Sequence, residues 1–297
     1  MADLGFDGKV AIVTGAGGGL GRAHVLELAR RGALVVVNDL GGSVDGTGSG
    51  TTAAQAVVDE VKAAGGEAVA NYDSVATPEG GRAIVQTALD AFGRIDIVVN
   101  NAGILRDASF KNMDADHVEP VLDVHLKGAF FVTRPAWEHM RAQGYGRIVN
   151  TSSGAGVFGN FGQTNYGAAK MGLVGLTRVL AVEGAKYGIK ANAIAPVAKT
   201  RMTEDILGPA ADKLLPEYVT PVVAFLAHEA CPVSGEIYTV GGGRVARVFI
   251  GVTPGIADPG LTVEAVRYRL DEIRAEEGYQ VPANLGEEMM LALQALS

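Results

Sequence analysis

The sequence predicts a doubly wound α/β fold, a parallel sheet covered by helices on both faces. Three observations carry this. Short Val- and Ile-rich runs without polar alternation recur along the chain, amphipathic segments of helical length separate them, and the alternation continues unbroken to about residue 240. Strands buried on both faces read as continuous apolar runs, and helical crossovers are what join parallel neighbours.

The elements follow in order. A first strand, 9–14 (KVAIVT), leads into an amphipathic helix over 20–31. A second strand, 34–38 (LVVVN), is followed by a helix over 51–64 and a third strand, 67–71 (EAVAN). A further helix covers 77–92. A fourth strand, 95–100, precedes one long helix, 118–143, in which Pro135 removes a backbone donor and predicts a kink. Strand 147–152, the helix 166–186 and strands 190–195 and 236–240 complete the pattern, giving one domain over 1–243. The remainder, 244–297, reads as an extension with a helix over 262–276, packing on the domain or on a partner subunit. The loop 40–50 (LGGSVDGTGSG) is too rich in Gly and Ser to predict a fixed conformation.

Bulk properties exclude several classes. A formal charge of −8, with Arg30-Arg31 as the longest basic run, gives no reason to expect nucleic acid or anionic membrane as a partner. No stretch reaches the roughly 18 apolar residues of a membrane span, and MADLGFDGKV lacks the charged head and apolar run of a secretory leader. A single cysteine, Cys231, suits a reducing compartment, and the expected location is the cytoplasm; the terminal Ala-Leu-Ser is not a peroxisomal tripeptide. The five histidines share no ligand spacing, so no metal is expected.

The first strand runs directly into Thr14-Gly15-Ala16-Gly17-Gly18-Gly19-Leu20-Gly21 and then a helix. Such a turn presents bare backbone N–H groups to a pyrophosphate, and Gly15, Gly19, Leu20 and Gly21 are its expected contacts. About twenty residues later Asp39 ends the second strand, where a carboxylate accepts hydrogen bonds from ribose hydroxyls and repels a 2′-phosphate. No Arg or Lys stands at 38–42, so NAD is the expected cofactor in a Rossmann-type domain. Arg22 is either a distant counter-charge or a solvated helix residue. Asp73, after the third strand, is placed to bond the adenine amine or to cap a helix; Asn101, Ala102 and Gly103, after the fourth, border the same crevice.

Tyr166 and Lys170 are one helical turn apart on one face. An ammonium about 4 Å from a phenol contributes on the order of 4 kcal/mol at an effective dielectric of ~20, roughly three pK units, and with a positive nicotinamide nearby the phenol is expected to titrate close to neutrality as a general acid or base. Ser153, thirteen residues before Tyr166 and just beyond the fifth strand, is placed to polarise a substrate oxygen. Ser152 is the neighbouring competitor, turned to the opposite side if the strand persists.

TGAGGGLG, NNAG, Ser153, YGAAK and Pro196 after the sixth strand together resemble the short-chain dehydrogenase/reductase family, over residues 7 to about 243. The resemblance implies Ser153 orienting the substrate, Tyr166 as acid/base, Lys170 as its electrostatic partner and ribose ligand, Asn101 holding the central strands, and Pro196 at the cofactor. NDLGGSVDGTGSG, DVHLKGAFFVTRPAWEHM, VFGNFGQTNYGAAK and LLPEYVTPVVAFLAHE further resemble the (3R)-hydroxyacyl-CoA dehydrogenase module of peroxisomal multifunctional enzyme type 2 and its bacterial relatives. This implies interconversion of a (3R)-3-hydroxyacyl-CoA and its 3-ketoacyl-CoA in β-oxidation-type or sterol side-chain catabolism. The alternatives are a hydroxysteroid dehydrogenase, an NADPH-dependent 3-ketoacyl carrier-protein reductase and a non-catalytic dinucleotide-binding protein. The sequence departs from the family at His125, where an Asn that supports a proton-relaying water is usual, and at Pro196-Val197 and Thr200. Gly167, Ala168, Ala169, Gly172 and Gly175, on the helix through which relatives pair, predict a homodimer or homotetramer.

Overall fold

Alternate residues of each inner strand supply opposite faces of the sheet. In a computed structural model, which describes residues 4–199 and 212–294, β1 (Val10–Thr14) sends Ala11 and Val13 to a core shared with Val25 and Leu28 of α1 (Gly19–Arg30) and Val57 and Val61 of α2 (Thr52–Ala63). Val10 and Ile12 enter a second core with Ile84 of α3 (Pro78–Phe92) and Met140 of α5 (Gly128–Gln143). Two apolar faces are why these strands show no polar alternation, and each fully buried Val or Ile contributes roughly 1.5–3 kcal/mol.

The sheet has eight strands in the order β3-β2-β1-β4-β5-β6-β7-β8. The others are β2 (Leu34–Asn38), β3 (Glu67–Asn71), β4 (Ile97–Asn100), β5 (Gly146–Thr151), β6 (Ile189–Pro196), β7 (Ile237–Gly241) and β8 (Arg244–Val248). Pairing from β3 through β7 is parallel throughout. The strand order reverses at β1/β4, and the carboxyl ends there open the crevice that binds ligands in such sheets. The expected doubly wound Rossmann-type architecture is the one observed. Sequence reading missed β8: RVARV was counted with the extension, although Gly242 and Gly243, at φ 55° and 80°, make the turn before it.

The predicted long helix 118–143 is instead three pieces. Asp114 caps α4 (Ala115–Leu122), a π-helical turn spans Asp123–Lys127, and α5 continues. The break lies at His125, while α5 runs as one α-helix through Pro135. Proline leaves the Phe131 carbonyl, one turn back, without its intrahelical donor. That carbonyl faces α3 where it comes closest: a Cβ on Gly81 would stand 2.2 Å from the oxygen. The proline thus marks a close helix crossing rather than a break.

After β5 come α6 (Gly154–Phe158) and α7 (Thr164–Gly184), and a helix over Thr220–Ala227 packs on α1. The chain divides between Arg247 and Val248. In the second unit the expected helix 262–276 is two short ones, Val263–Tyr268 and Leu270–Arg274, interrupted at Arg269, followed by Leu285–Gln294. Phe249 stacks on Tyr279 at 5.4 Å, beside a bridge between Val252 and Gln280. Thr200 and the terminal tripeptide lie outside the described residues.

Candidate active site

A cleft of about 510 Å³ runs along the carboxyl ends of the strands, from Gly18 and Asp39 past Asn101 to Ser153, Tyr166 and Lys170. Its glycine turn works mainly by letting backbones approach. Gly15 takes φ +62°, and a Cβ there would lie 2.7 Å from the Ala102 Cα; one on Gly21 would lie 2.3 Å from the Gly15 carbonyl oxygen. Gly18 caps α1 and has open space where a Cβ would be, with no side chain capping the helix. Orphan N–H groups at that helix start, with Gly19 (φ +52°) and Leu20 beside them, suit an anionic phosphate.

Asp39 is held by that turn. Its Oδ2 accepts from the Gly17 N–H at 2.7 Å and its Oδ1 from the Gly41 N–H at 2.7 Å. Each oxygen keeps lone-pair capacity for a ribose hydroxyl. Gly17, not singled out in the sequence, is what admits the carboxylate: a Cβ there would lie 2.8 Å from Oδ2. Arg22 is engaged by Glu60 of α2, with Nε donating to Oε1 at 3.1 Å, so it is the surface residue rather than the counter-charge. Asp73 lines the cleft and accepts from Asn71 Nδ2 at 2.7 Å.

Asn101 ties β4 to β1, its Nδ2 donating to the carbonyls of Thr14 and Gly15, both at 3.0 Å. The Thr14 hydroxyl returns the link, accepting from the N–H groups of Asn101 and Ala102. Gly103 is required by His125, whose Cε1 would lie 2.3 Å from a Cβ there. Pro196 closes β6 at the cleft wall. The glycine turn, the strand-end carboxylate and this wall fit a nicotinamide dinucleotide.

Ser153 and Tyr166 line the same stretch of the cleft, and Ser153 Oγ accepts from the Ala155 N–H at 3.2 Å. Ser152 turns inward and donates to the Lys170 carbonyl at 2.8 Å, occupied by structure. Lys170 Nζ lies 5.4 Å from the centre of the Tyr166 ring and donates to the Thr151 carbonyl at 2.5 Å.

Burial dominates the electrostatics of this pair. It pushes the Tyr166 phenol above its ordinary range; the Ser153 hydroxyl opposes the rise and the Asp107 carboxylate adds to it. Burial also pulls Lys170 down to about 7. Desolvation penalises both charged forms, and the ammonium is aimed at the Thr151 carbonyl.

His125 stands beside this pair, edge-on to the Tyr166 ring at 5.1 Å. Its Nε2 contacts the backbone of Ile104, 3.0 Å from the N–H and 2.8 Å from the carbonyl. Burial, then the Lys170 charge, holds the imidazole well below its ordinary pKa, so it is neutral. Loop 40–50, unassigned by sequence, has a definite form: Ser43 and Thr47 close a turn on Asp45, and Val44 accepts from the Leu105 N–H at 2.9 Å. Sequence reading also passed over Gln163 and Asn165, whose only signal was adjacency to Tyr166. No cluster of His, Cys, Asp and Glu able to hold a metal occurs among the described residues, and no described helix is long and apolar enough to cross a membrane.

Comparison with known proteins fits this geometry. The short chain dehydrogenase family matches residues 9–208. A short-chain type dehydrogenase/reductase of Mycobacterium tuberculosis is 54% identical over 279 residues, 93% of this chain and 98% of that one. The hydroxyacyl-CoA dehydrogenase ChsB1 of the same organism is 44% identical over 260 residues, 81% and 80% of the two chains. Among solved structures, full-length peroxisomal multifunctional enzyme type 2 from Drosophila melanogaster superimposes with a TM-score of 0.82 at 38% identity, over 99% of this chain and 50% of that chain. The chain thus spans half the length of the multifunctional protein it matches. Its strand-end cleft, glycine turn and paired Tyr166 and Lys170 agree with that match: the chain belongs to the short chain dehydrogenase family and is an oxidoreductase acting on CH–OH groups with a nicotinamide dinucleotide.

Proposed function

We propose that this chain is an NAD-dependent dehydrogenase of (3R)-3-hydroxyacyl-CoA thioesters, with Ser153, Tyr166 and Lys170 as its catalytic residues. The observation that carries the chemistry is that Ser153, Tyr166 and buried Lys170 line one cleft with the glycine turn, Lys170 Nζ lying 5.4 Å from the centre of the Tyr166 ring. The thioester substrate is supported by likeness to a protein named hydroxyacyl-CoA dehydrogenase and to the multifunctional enzyme. NAD is supported by Asp39 at the end of β2, with Arg22 withdrawn into its pair with Glu60.

Gly15, Gly19, Leu20 and Gly21 would hold the pyrophosphate, Asp39 and Asp73 the adenosine, and Lys170 a ribose hydroxyl, with Asn101, Ala102, Gly103 and Pro196 walling the site. Bound nicotinamide supplies the hydride acceptor. Ser153 Oγ holds the substrate oxygen by a hydrogen bond, and Tyr166 Oη, as the phenolate, takes the hydroxyl proton and becomes the phenol as the carbonyl forms. In the reverse direction the same phenol returns it. Lys170, where charged, stabilises the phenolate.

We also read the protein as a cytoplasmic homodimer or homotetramer with no nucleic acid or membrane partner. Val179 and Val182 project from α7 at 55% and 58% exposure, and Gly175 faces open space, a surface a second helix would cover. Monomeric mass in light scattering at micromolar concentration overturns this.

The deciding experiment is a panel of (3R)- and (3S)-hydroxyacyl-CoA thioesters and of 3- and 17-hydroxysteroids, each with NAD and NADP. Turnover of (3R) thioesters with NAD, at least about tenfold faster in kcat/KM than with NADP, is expected. Turnover confined to steroids refutes the substrate assignment, and preference for NADP refutes the role of Asp39.

A further inference from the structure

The segment after β4 is gripped on several sides, and Asn165 joins it to the first turn of the catalytic helix. Ile104 touches His125 through its backbone, and Leu105 donates to Val44 of the 40–50 loop. The Arg106 guanidinium reaches two carbonyls, Asp45 at 2.9 Å through Nε and Asp116 of α4 at 2.8 Å through Nη1. Asp107 accepts from Gln163 at 2.7 Å, and the Ala108 N–H donates to the Gly162 carbonyl.

Asn165 stands at the centre, 3% exposed, with its amide fully used. Nδ2 donates to the Arg106 carbonyl at 2.9 Å and to the His117 carbonyl at 2.8 Å, while Oδ1 accepts from the Tyr166 N–H at 2.8 Å. The acceptors belong to two different segments, the strand-end loop and α4. The donor to Oδ1 is the backbone of the tyrosine itself, in the first turn of α7, where helix N–H groups have no intrahelical partner. This amide therefore fixes Tyr166 to both walls of the cleft at once.

We propose that Asn165 is a positioning residue that sets where the Tyr166 phenol stands relative to Ser153. The proposal rests on Tyr166 being the acid/base of the reaction above. Only an amide combines two donors with one acceptor in this geometry: aspartate would set a carboxylate against two carbonyl oxygens, and alanine would leave both acceptors and the Tyr166 N–H unmatched. A buried polar junction with every group satisfied holds one geometry, and displacing a reacting group by about 1 Å costs on the order of a hundredfold in rate.

The test uses the full chain with Asn165→Ala and, should that variant not fold, Asn165→Ser. Three quantities are compared with wild type: kcat and KM on the best alcohol of the panel, NAD affinity by protein-fluorescence titration without substrate, and the crystal structure. Expected is a fall in kcat of about 10- to 100-fold with NAD Kd and substrate KM within about threefold, and a Tyr166 phenol displaced relative to Ser153 in the variant crystal. The proposal is overturned if kcat stays within about twofold, if NAD Kd rises in step with the loss, or if the phenol keeps its wild-type place relative to Ser153. Should wild type oxidise no alcohol of the panel, the proposed function is what fails, and the crystal comparison alone decides the role of Asn165.

Discussion

The two halves of the cleft are built by different means. Around the glycine turn, backbone meets backbone, and the side chains present, Asp39, Asn101 and Thr14, bond to main-chain groups of the turn and its neighbours. Around Tyr166, ionisable side chains are buried together, and Tyr166, Lys170 and His125 are all displaced from their ordinary pKa by burial. The first half recognises a fixed anionic shape and needs rigidity; the second manages protons and needs groups whose charge costs free energy. A shape fixed by main-chain approach breaks when any atom is added, whereas the proton-handling half breaks when a function is removed and the shape is kept.

The largest separation is expected from Tyr166→Phe. It removes the proton acceptor but little volume, and kcat should fall about 10²- to 10⁴-fold while NAD Kd from fluorescence titration stays within about threefold. A comparable loss of NAD affinity would show that the halves are not separable. Gly21→Ala tests the other half: with a Cβ 2.3 Å from the Gly15 carbonyl, it should lose about 1–3 kcal/mol in denaturant unfolding and weaken NAD binding, at unchanged pH dependence of the residual activity.

The smallest effect concerns a group outside the cleft. His24 of α1, bonded through Nδ1 to the Thr220 hydroxyl at 2.8 Å, is pulled down to about 3 by burial. Because the folded pKa lies below the unfolded value near 6.5, the unfolded chain takes up the proton first as pH falls. Its contribution is fully present above about 6.5 and drains away toward 3, by up to about 1.4 kcal/mol per pH unit. His24→Asn should flatten the acid side of the stability profile in urea melts between pH 6 and 4, leaving the share that buried His125 adds by the same sign. An unchanged slope would mean that His24 does not titrate with unfolding.

Gly15, Asp39, Asn101, Ser153, Tyr166 and Lys170 were legible because they follow strand ends at spacings that local geometry dictates, and the structure places all six on one cleft. Gly17 was not, since its need arises from a carboxylate twenty-two residues away. Nor was Asn165, whose acceptors come from residues 106 and 117. The π-helical turn at His125 hid behind Pro135, which drew the expectation of a kink although its freed carbonyl serves the approach of α3.

By itself the chain determined its parallel sheet, its crossovers and the positions at strand ends, because hydrophobic period and turn chemistry act between near neighbours. Only tertiary structure decided what holds the tyrosine in place and the direction in which burial moves the phenol and the ammonium. Those depend on desolvation and on partners brought from distant segments, and free energies of that kind have no local signature.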